Sequence, residues 1–389
     1  MKRKKQVGGA LLIAWFLFVI IFLSAWNADR FVSMMGDELP GITPENAKVR
    51  TDRWDSYYTK YFRFMEPLAE AAGVSFLALG KQSVDNYNYV KDGAGNMQLV
   101  EDGFDRERAE RQLLALADAF DKRGIPFVFV SLPPRFDKED FRIARELDFF
   151  GQRDEKMLAV LSGAGVEVLD AGQELKDAGE RYLYPFRTDI HLQTAGEIEA
   201  ARLLAGRLEA LGVGVMDTDV IFDRDNYRVI PYDFAGNLVK SSGVAYTRGS
   251  DSFELWFPKF DTDLTVENPE NRVIKQGPFE QSVMNGMDDP KELAKQANQY
   301  WVLDYLQYPS AYCTVENNMN EDGCRLLIII DSLAMRMASY ISLGAGYVTV
   351  IDPRGEGSEK YLAQAMKSGE YDAVIVAAGG KDFYDNLAF

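Results

Sequence analysis

The carboxyl-terminal third of the chain alternates between two kinds of segment, and this alternation restricts the fold more than any other feature. "CRLLIIID", "YVTVID" and "YDAVIVAA" are nearly uninterrupted apolar runs, separated by stretches of helical spacing at 333–342 and 357–368. A strand apolar on consecutive residues has both faces buried, and parallel strands joined by helical crossovers cover both. The same rhythm begins earlier. "DRERAERQLLALADAFDKRG" predicts a helix with Asp105 as N-cap and a glycine stop, and "IPFVFVSLPP" a buried strand ended by prolines. A helix at 153–162, the strand "VEVLD" and a helix at 195–211 follow. Residues 218–300 break the pattern with aromatic, β-prone pieces such as "SFELWFPKFDTDLTV", which predicts a β-rich insertion. The expected fold is α/β, a parallel sheet with helices on both faces, and 389 residues of which 47% are apolar give it a large core.

The amino terminus carries a different signal. "MKRKK" precedes "VGGALLIAWFLFVIIFLSAW", a charge-free run of 20 residues, long enough for a transmembrane helix. Cationic residues ahead of the span place the N-terminus in the cytoplasm and the rest outside. A cleaved signal peptide is the other reading, but the run exceeds an ordinary signal core and no clear A-x-A site follows. The expected organisation is a cytoplasmic tip and anchor at 1–27, a membrane-proximal helical segment at 28–75 and the α/β domain at 76–389 with its insertion at about 218–300. The expected location is the cell membrane, single-pass, with the domain extracytoplasmic. Cys313 and Cys324 suit an oxidising exterior, and "TVENNMNEDG" between them reads as a loop that a disulfide could close; free thiols are the alternative. Sixty acidic against 43 basic residues leave a net charge of -17, which argues against nucleic acid as a partner. There is no P-loop, no G-x-G-x-x-G after a strand and no metal-ligand cluster, so neither cofactor nor metal is expected.

Open α/β sheets bind ligands beyond the carboxyl ends of their strands. Asp331 and Ser332 follow "CRLLIII" at such an end. A serine there has an exposed hydroxyl and helix N–H groups nearby to stabilise an oxyanion, although either residue could simply be an N-cap. His191, the only histidine, stands two residues after Asp189. "TAGE", Thr194 to Glu197, reads as a capping box, so the pair should lie on a loop just before a helix, at another strand-to-helix passage. A carboxylate at that spacing can orient the imidazole, and Ser332, His191 and Asp189 form a coherent catalytic set. Arg135 after "SLPP", Arg354 after "VIDP" and Lys381 after "AAGG" are candidate substrate contacts or solvated loop charges. Tyr87 and Tyr89 could stack on sugar rings or pack against the protein.

"TDIHLQTAGEIEAARLLAGRLEAL" resembles the D-x-H-W segment of AlgX/AlgJ-type polysaccharide O-acetyltransferases and related DHHW proteins, and "IIIDSLAMRMASYISLGAGYVTVIDPR" resembles their later G-D-S-F segment. "FLALGKQSVDNYNYVKDG", "VFVSLPPRFD" and "YDFAGNLVKSSGV" extend the likeness in order over most of residues 60–389. Leu192 stands where the family usually has Trp, and Ile330 and Leu333 where Gly and Phe are common. The resemblance implies an SGNH-hydrolase-like fold with Ser332 as nucleophile, His191 as general base and acid, and Asp189 as its orienting carboxylate. It also implies an extracytoplasmic polysaccharide substrate and a multipass membrane-bound O-acyltransferase (MBOAT-type) partner as acetyl donor. A carbohydrate esterase with the same triad and a non-catalytic scaffold remain the competing functions.

Overall fold

A computed structural model describes residues 17–19, 21–23, 25–28, 65–85, 87–100, 105–133, 136, 141, 154–179, 185–270, 272–284, 305–306, 310–368 and 370–387. The chain divides into two units, Met1–Leu79 and Gly80–Phe389. In the first, the described residues between 17 and 28 are helical apart from a turn at Asn27, and Phe18, Phe22 and Trp26 meet ring to ring at 6.1 and 5.3 Å, the contact that i,i+4 spacing produces. The remainder of the expected anchor lies outside the described residues, and among the described residues no helix is long and apolar enough to cross a membrane. Helix α1 (Met65–Ala78) takes up the later part of the membrane-proximal segment.

The second unit opens with a small antiparallel sheet of β1 (Ser83–Val84), β2 (Tyr89–Lys91) and β3 (Met97–Leu99). Helix α2 (Arg106–Asp121) then starts as its sequence predicts, with the Asp105 carboxylate accepting from the Arg108 N–H, and the chain turns at Gly124 with φ at +70°. It leads into β4 (Phe127–Ser131), α3 (Glu155–Gly163), β5 (Glu167–Asp170), α4 (Ala171–Asp177) and α5 (Thr194–Ala210). An antiparallel ribbon follows, β6 (Tyr227–Phe234) against β7 (Asp251–Pro258), then β8 (Leu264–Asn268), β9 (Val273–Gly277) and β10 (Tyr312–Asn317). The last elements are β11 (Arg325–Ile330), α6 (Met335–Ile341), β12 (Tyr347–Ile351), α7 (Ser358–Ser368), β13 (Ala373–Ala377) and α8 (Lys381–Asn386).

The main sheet has eight strands in the order β5-β4-β13-β11-β12-β10-β8-β9. The first five run parallel, and β10, β8 and β9 are added antiparallel. The sheet is therefore mixed, and the region expected to be a separate β-rich insertion is partly absorbed: β6 and β7 stand apart, while β8 and β9 extend the sheet through β10. Side chains alternate between two cores with the period of the strand. Val128, Val130, Ile328, Ile330 and Ile375 pack on one face under α5 and α6. Phe127, Phe129, Leu327, Ile329 and Val376 pack on the other under α2, α3 and α7. Helices on both faces are thus as expected from the apolar runs.

Two sequence expectations fail for local reasons. The Thr194–Glu197 segment is not a capping box. Gln193 is the N-cap of α5 and makes no side-chain cap bond, the Thr194 hydroxyl donates to the Glu254 carbonyl at 2.6 Å, and Glu197 is turned into the core toward Arg336. Nor are Cys313 and Cys324 bridged; both are free thiols. Cys313 belongs to β10, opposite Val350 of β12, whereas Cys324 immediately precedes β11, which lies on the far side of β12. Two strand spacings of about 4.8 Å already exceed the roughly 7 Å between Cα atoms that a disulfide spans. Burial pushes the Cys313 thiol up to about 12 and the Cys324 thiol up to about 11, so neither is a ready thiolate. Protein denatured without reductant is expected to titrate two thiols per chain, and reductant is expected to leave its melting temperature unchanged; fewer thiols would contradict this register.

Candidate functional site

Among the described residues, the elements that flank the loop carrying His191 are two helices. Helix α4 ends at Asp177, α5 begins at Thr194, and the pairing of Pro185 with Leu192 is a single bridge outside the sheets. The expected strand-to-helix passage is not seen among the described residues, but the Asp189–His191 spacing does what the sequence predicts. Asp189 Oδ1 lies 2.6 Å from His191 Nδ1 and also accepts from the His191 backbone N–H at 3.0 Å, while Oδ2 accepts from Asn237 N–H at 2.9 Å. Asp189 is fully buried and His191 is 9% exposed. With Nδ1 committed to the carboxylate, Nε2 is the ring nitrogen available for proton transfer. Burial alone would raise the Asp189 carboxyl; the His191 charge and hydrogen bond, with the Asn237 and His191 amides, outweigh it and hold the group below the usual carboxylate range.

A further set of contacts fixes this loop from beneath. Asp251 Oδ2 accepts from the Thr188 N–H at 2.8 Å and the Thr188 hydroxyl at 2.5 Å, and Oδ1 accepts from Arg187 N–H at 3.1 Å. The Gly236 N–H donates to Thr188 Oγ1 at 2.9 Å and the Leu238 N–H to the Thr188 carbonyl at 3.0 Å. A Cβ on Gly236 would lie 2.2 Å from that carbonyl oxygen and 2.5 Å from Asp189 Cβ, so only glycine permits the approach. None of Thr188, Gly236, Asn237 or Asp251 stands out by spacing or residue type; the signal for Gly236 and Asn237 was the resemblance through "YDFAGNLVKSSGV".

Asp331 and Ser332 lie where expected, at the carboxyl end of β11. From β11 the chain proceeds to β12 on one flank, whereas from β4 it proceeds to β5 on the other, and β13 fills the gap between them. This reversal creates the crevice in which open α/β sheets bind ligands. Asp331 is fully buried and caps the single 3-10 turn Ser332–Ala334, accepting from Leu333 N–H at 2.9 Å. Its Oδ2 accepts from Gly379 and Gly380 N–H groups at 2.9 and 3.0 Å, tying the ends of β11 and β13 together. Burial pushes this carboxyl up, with the Arg354 guanidinium and the three amides opposing. Ser332 is partly exposed, and its hydroxyl makes no hydrogen bond to a described residue.

The remaining candidates divide. Arg354 grips Asp352 through Nη2–Oδ2 at 2.7 Å and Nε–Oδ1 at 2.9 Å, and both line an open cavity of about 700 Å³ with Glu270, Ser310 and Glu356. Lys381 begins α8, directly after the Gly380 that bonds Asp331. Arg135 lies outside the described residues. Tyr87 is exposed, and Tyr89 is part of β2. The His191 loop and the segment after Ser332 meet where Arg336 Nη2 donates to the Leu192 carbonyl at 2.5 Å. Among the described residues no group of His, Cys, Asp and Glu is arranged to hold a metal ion.

Two predictions test this geometry. Gly236→Ala should displace the turn beneath Asp189 and cost about 1–3 kcal/mol, read from a denaturant midpoint, as overpacked positions typically do. Because the folded state depresses the Asp189 carboxyl, it binds that proton more weakly than the unfolded chain does. The contribution is complete above the ordinary carboxylate value of 3.8 and is lost as pH falls through the lower folded value. The stability gap between wild type and Asp189→Asn should therefore narrow in acid below about pH 4, measured by urea unfolding.

Comparison with known proteins bears on the fold that holds these residues. Residues 94–228 match the family model described as the SGNH hydrolase-like domain of the acetyltransferase AlgX, a span that contains Asp189 and His191. No curated protein matches by sequence. Among solved structures, a DHHW family protein from Eubacterium siraeum is similar at a TM-score of 0.50 and 15% identity, over 77% of this chain and 93% of that one. Bacillus cereus PatB1 is similar at a TM-score of 0.55 and 14% identity, over 77% of this chain and 97% of its own. PatB1 has also been solved with a sulfonyl adduct, and that structure is similar at 0.55 and 13% identity, over the same 77% and 97%. At these identities the likeness is one of fold. The family resemblance carried by the D-x-H segment is borne out: residues 94–228 match the SGNH hydrolase-like domain of the AlgX type, and the chain is folded like a DHHW protein and PatB1.

Proposed function

We propose that this protein is a membrane-anchored, extracytoplasmic O-acetyltransferase that modifies a cell-surface or secreted polysaccharide through Ser332, His191 and Asp189. The observation that carries the reading is the buried Asp189 carboxylate bonded to Nδ1 of the only histidine, within a domain of the AlgX type. In the reaction, His191 Nε2 accepts the Ser332 proton as Oγ attacks the acyl carbonyl. The tetrahedral oxyanion collapses to an acyl-serine, and the donor's leaving group departs with the proton from His191. A sugar hydroxyl then attacks the acyl-serine, giving its proton to His191, and Ser332 Oγ regains that proton on release. Asp189 keeps the imidazole in one tautomer and stabilises the imidazolium formed in each half. The N–H of Ser332 itself is suited to the developing oxyanion, whereas those of Leu333 and Ala334 donate to Asp331.

Several features support the anchored setting. Leu17, Phe18, Ile21, Phe22 and Trp26 expose large apolar surface within a charge-free run preceded by lysines and arginine. Acetyl-CoA is cytoplasmic, so an enzyme outside the membrane takes its acetyl group from a membrane relay, for which an MBOAT-type protein is the proposed partner. Full-length protein in detergent should hydrolyse a chromogenic acetyl ester slowly and gain about 42 Da, one acetyl in place of a hydrogen, on Ser332. Ser332→Ala and His191→Ala should each lose at least about 10³-fold in turnover. Acetylation of an added oligosaccharide identifies transfer; release of acetate alone identifies an esterase. A folded wild type with neither adduct nor turnover would leave a scaffold role.

A further inference from the structure

Arg336 is 1% exposed and Glu197 fully buried, and between them they join the two segments that carry the candidate chemistry. Glu197 Oε2 accepts from the backbone N–H groups of Arg336 and Met337 at 2.9 and 3.2 Å, gripping the first turn of α6 just beyond Ser332. Its Oε1 accepts from Arg336 Nη2 at 2.5 Å, and the same nitrogen donates to the carbonyl of Leu192, the residue after His191. The chain thus closes a ring from His191 through Leu192 to Arg336, across to Glu197 and back along α5. Arg336 and Leu192 are 144 positions apart in sequence.

This pair is poorly designed as a stabiliser. Two of the guanidinium nitrogens, Nε and Nη1, are buried without a hydrogen-bond partner among the described residues, and the plane stands over the Phe253 ring at 5.3 Å. Orphaned buried donors cost stability, and a buried ion pair can often be replaced by apolar residues without loss. What apolar residues could not do is hold the Leu192 carbonyl and the first turn of α6 in one fixed relation.

Resting on the proposed triad, we infer that Arg336, held by Glu197, is a positioning residue that sets His191 against Ser332 by clamping the Leu192 carbonyl to the turn carrying the nucleophile. The Asp189 side of the imidazole is fixed by the Asn237 and Asp251 contacts, whereas the Leu192 side is fixed by Arg336. Misplacement of a catalytic group by about 1 Å costs on the order of 10²-fold in rate.

Because His191 is the only histidine, selective isotope labelling of histidine gives one imidazole spectrum, readable whether or not the protein turns over. Full-length wild type is expected to show a single sharp set of ring signals. The double variant Glu197→Met/Arg336→Met leaves no unpaired charge but orphans the Arg336 and Met337 amides and the Leu192 carbonyl; it should melt below wild type while staying folded, and show broadened or doubled ring signals. Labelling of Ser332 by a small sulfonyl fluoride, followed by mass, should be slowed about 10–100-fold in it, with kcat for the acetyl ester reduced and KM unchanged. Arg336→Lys, which keeps the charge but not the fork, should fall between. Wild-type ring signals, or wild-type labelling, in a folded double variant would overturn the clamp. If the double variant does not fold, Glu197→Gln takes the same two measurements with the same consequence. A wild type that never labels at Ser332, with ring signals that still change in the variants, would overturn the triad and leave the clamp as a fixture of the His191 loop alone.

Discussion

Strand β11 occupies an interior position of the eight-stranded sheet with Leu326 through Ile330 at 0–1% exposure, so the chain can place no polar side chain there until it leaves the sheet at Asp331. Both faces of the strand must be covered, and the helical crossovers that cover them force β12 and β13 to run parallel to it on opposite flanks. The crevice at the carboxyl edge follows from that arrangement, since β4 sends its connection the other way. Asp331 then serves two ends at once, capping the turn that presents Ser332 and holding the Gly379–Gly380 loop. Position at the switch point and structural capping are therefore complementary properties of one segment.

A common device holds the polar groups behind that edge. Asp189, Asp251, Asp331 and Glu197 are largely or fully buried carboxylates, and each accepts backbone N–H groups from a segment remote in sequence or at the start of a helix. Backbone donors are rigid and carry no compensating charge, so they fix the carboxylates in place while leaving their negative character largely intact. For Asp189 this matters chemically: its second oxygen is occupied by Asn237, and its first is left to the imidazole alone and the amide beside it.

The parts of this fold legible in sequence are those governed by local periodicity. The apolar runs locate β4, β5, β11, β12 and β13, and Asp105 marks the start of α2, because burial on both faces and N-capping each write themselves into adjacent residues. The failures share the opposite cause. "TAGE" has the spacing of a capping box, yet tertiary partners at Glu254 and Arg336 take both of its side chains. The segment after Cys313 reads as polar loop because its β10 residues, Thr314, Glu316 and Asn317, are polar, yet hydrogen bonding to β12 and β8 on both sides makes it a strand. In the candidate site, the Asp189–His191 pair is legible because a separation of two residues on one bend lets the carboxylate reach both the amide and the ring. Thr188, Asn237 and Asp251 are not, because their roles exist only once distant backbone segments converge.

That distinction also explains why sequence comparison reaches only part of the site. The matched family model ends at residue 228, so it contains the carboxylate and the imidazole but stops about 100 residues short of Ser332. No covalent or local constraint ties the two halves, and the spacing between the turns is free to vary as long as tertiary contacts restore the geometry. In this chain the direct hydrogen bond between those halves runs through Arg336 to the Leu192 carbonyl, with Glu197 as its anchor. A substitution at either of those positions therefore acts on the relation between the two halves while leaving both motifs unchanged. Intact motifs are on these grounds insufficient evidence of an assembled site, whereas a lost clamp beside intact motifs marks one that has come apart.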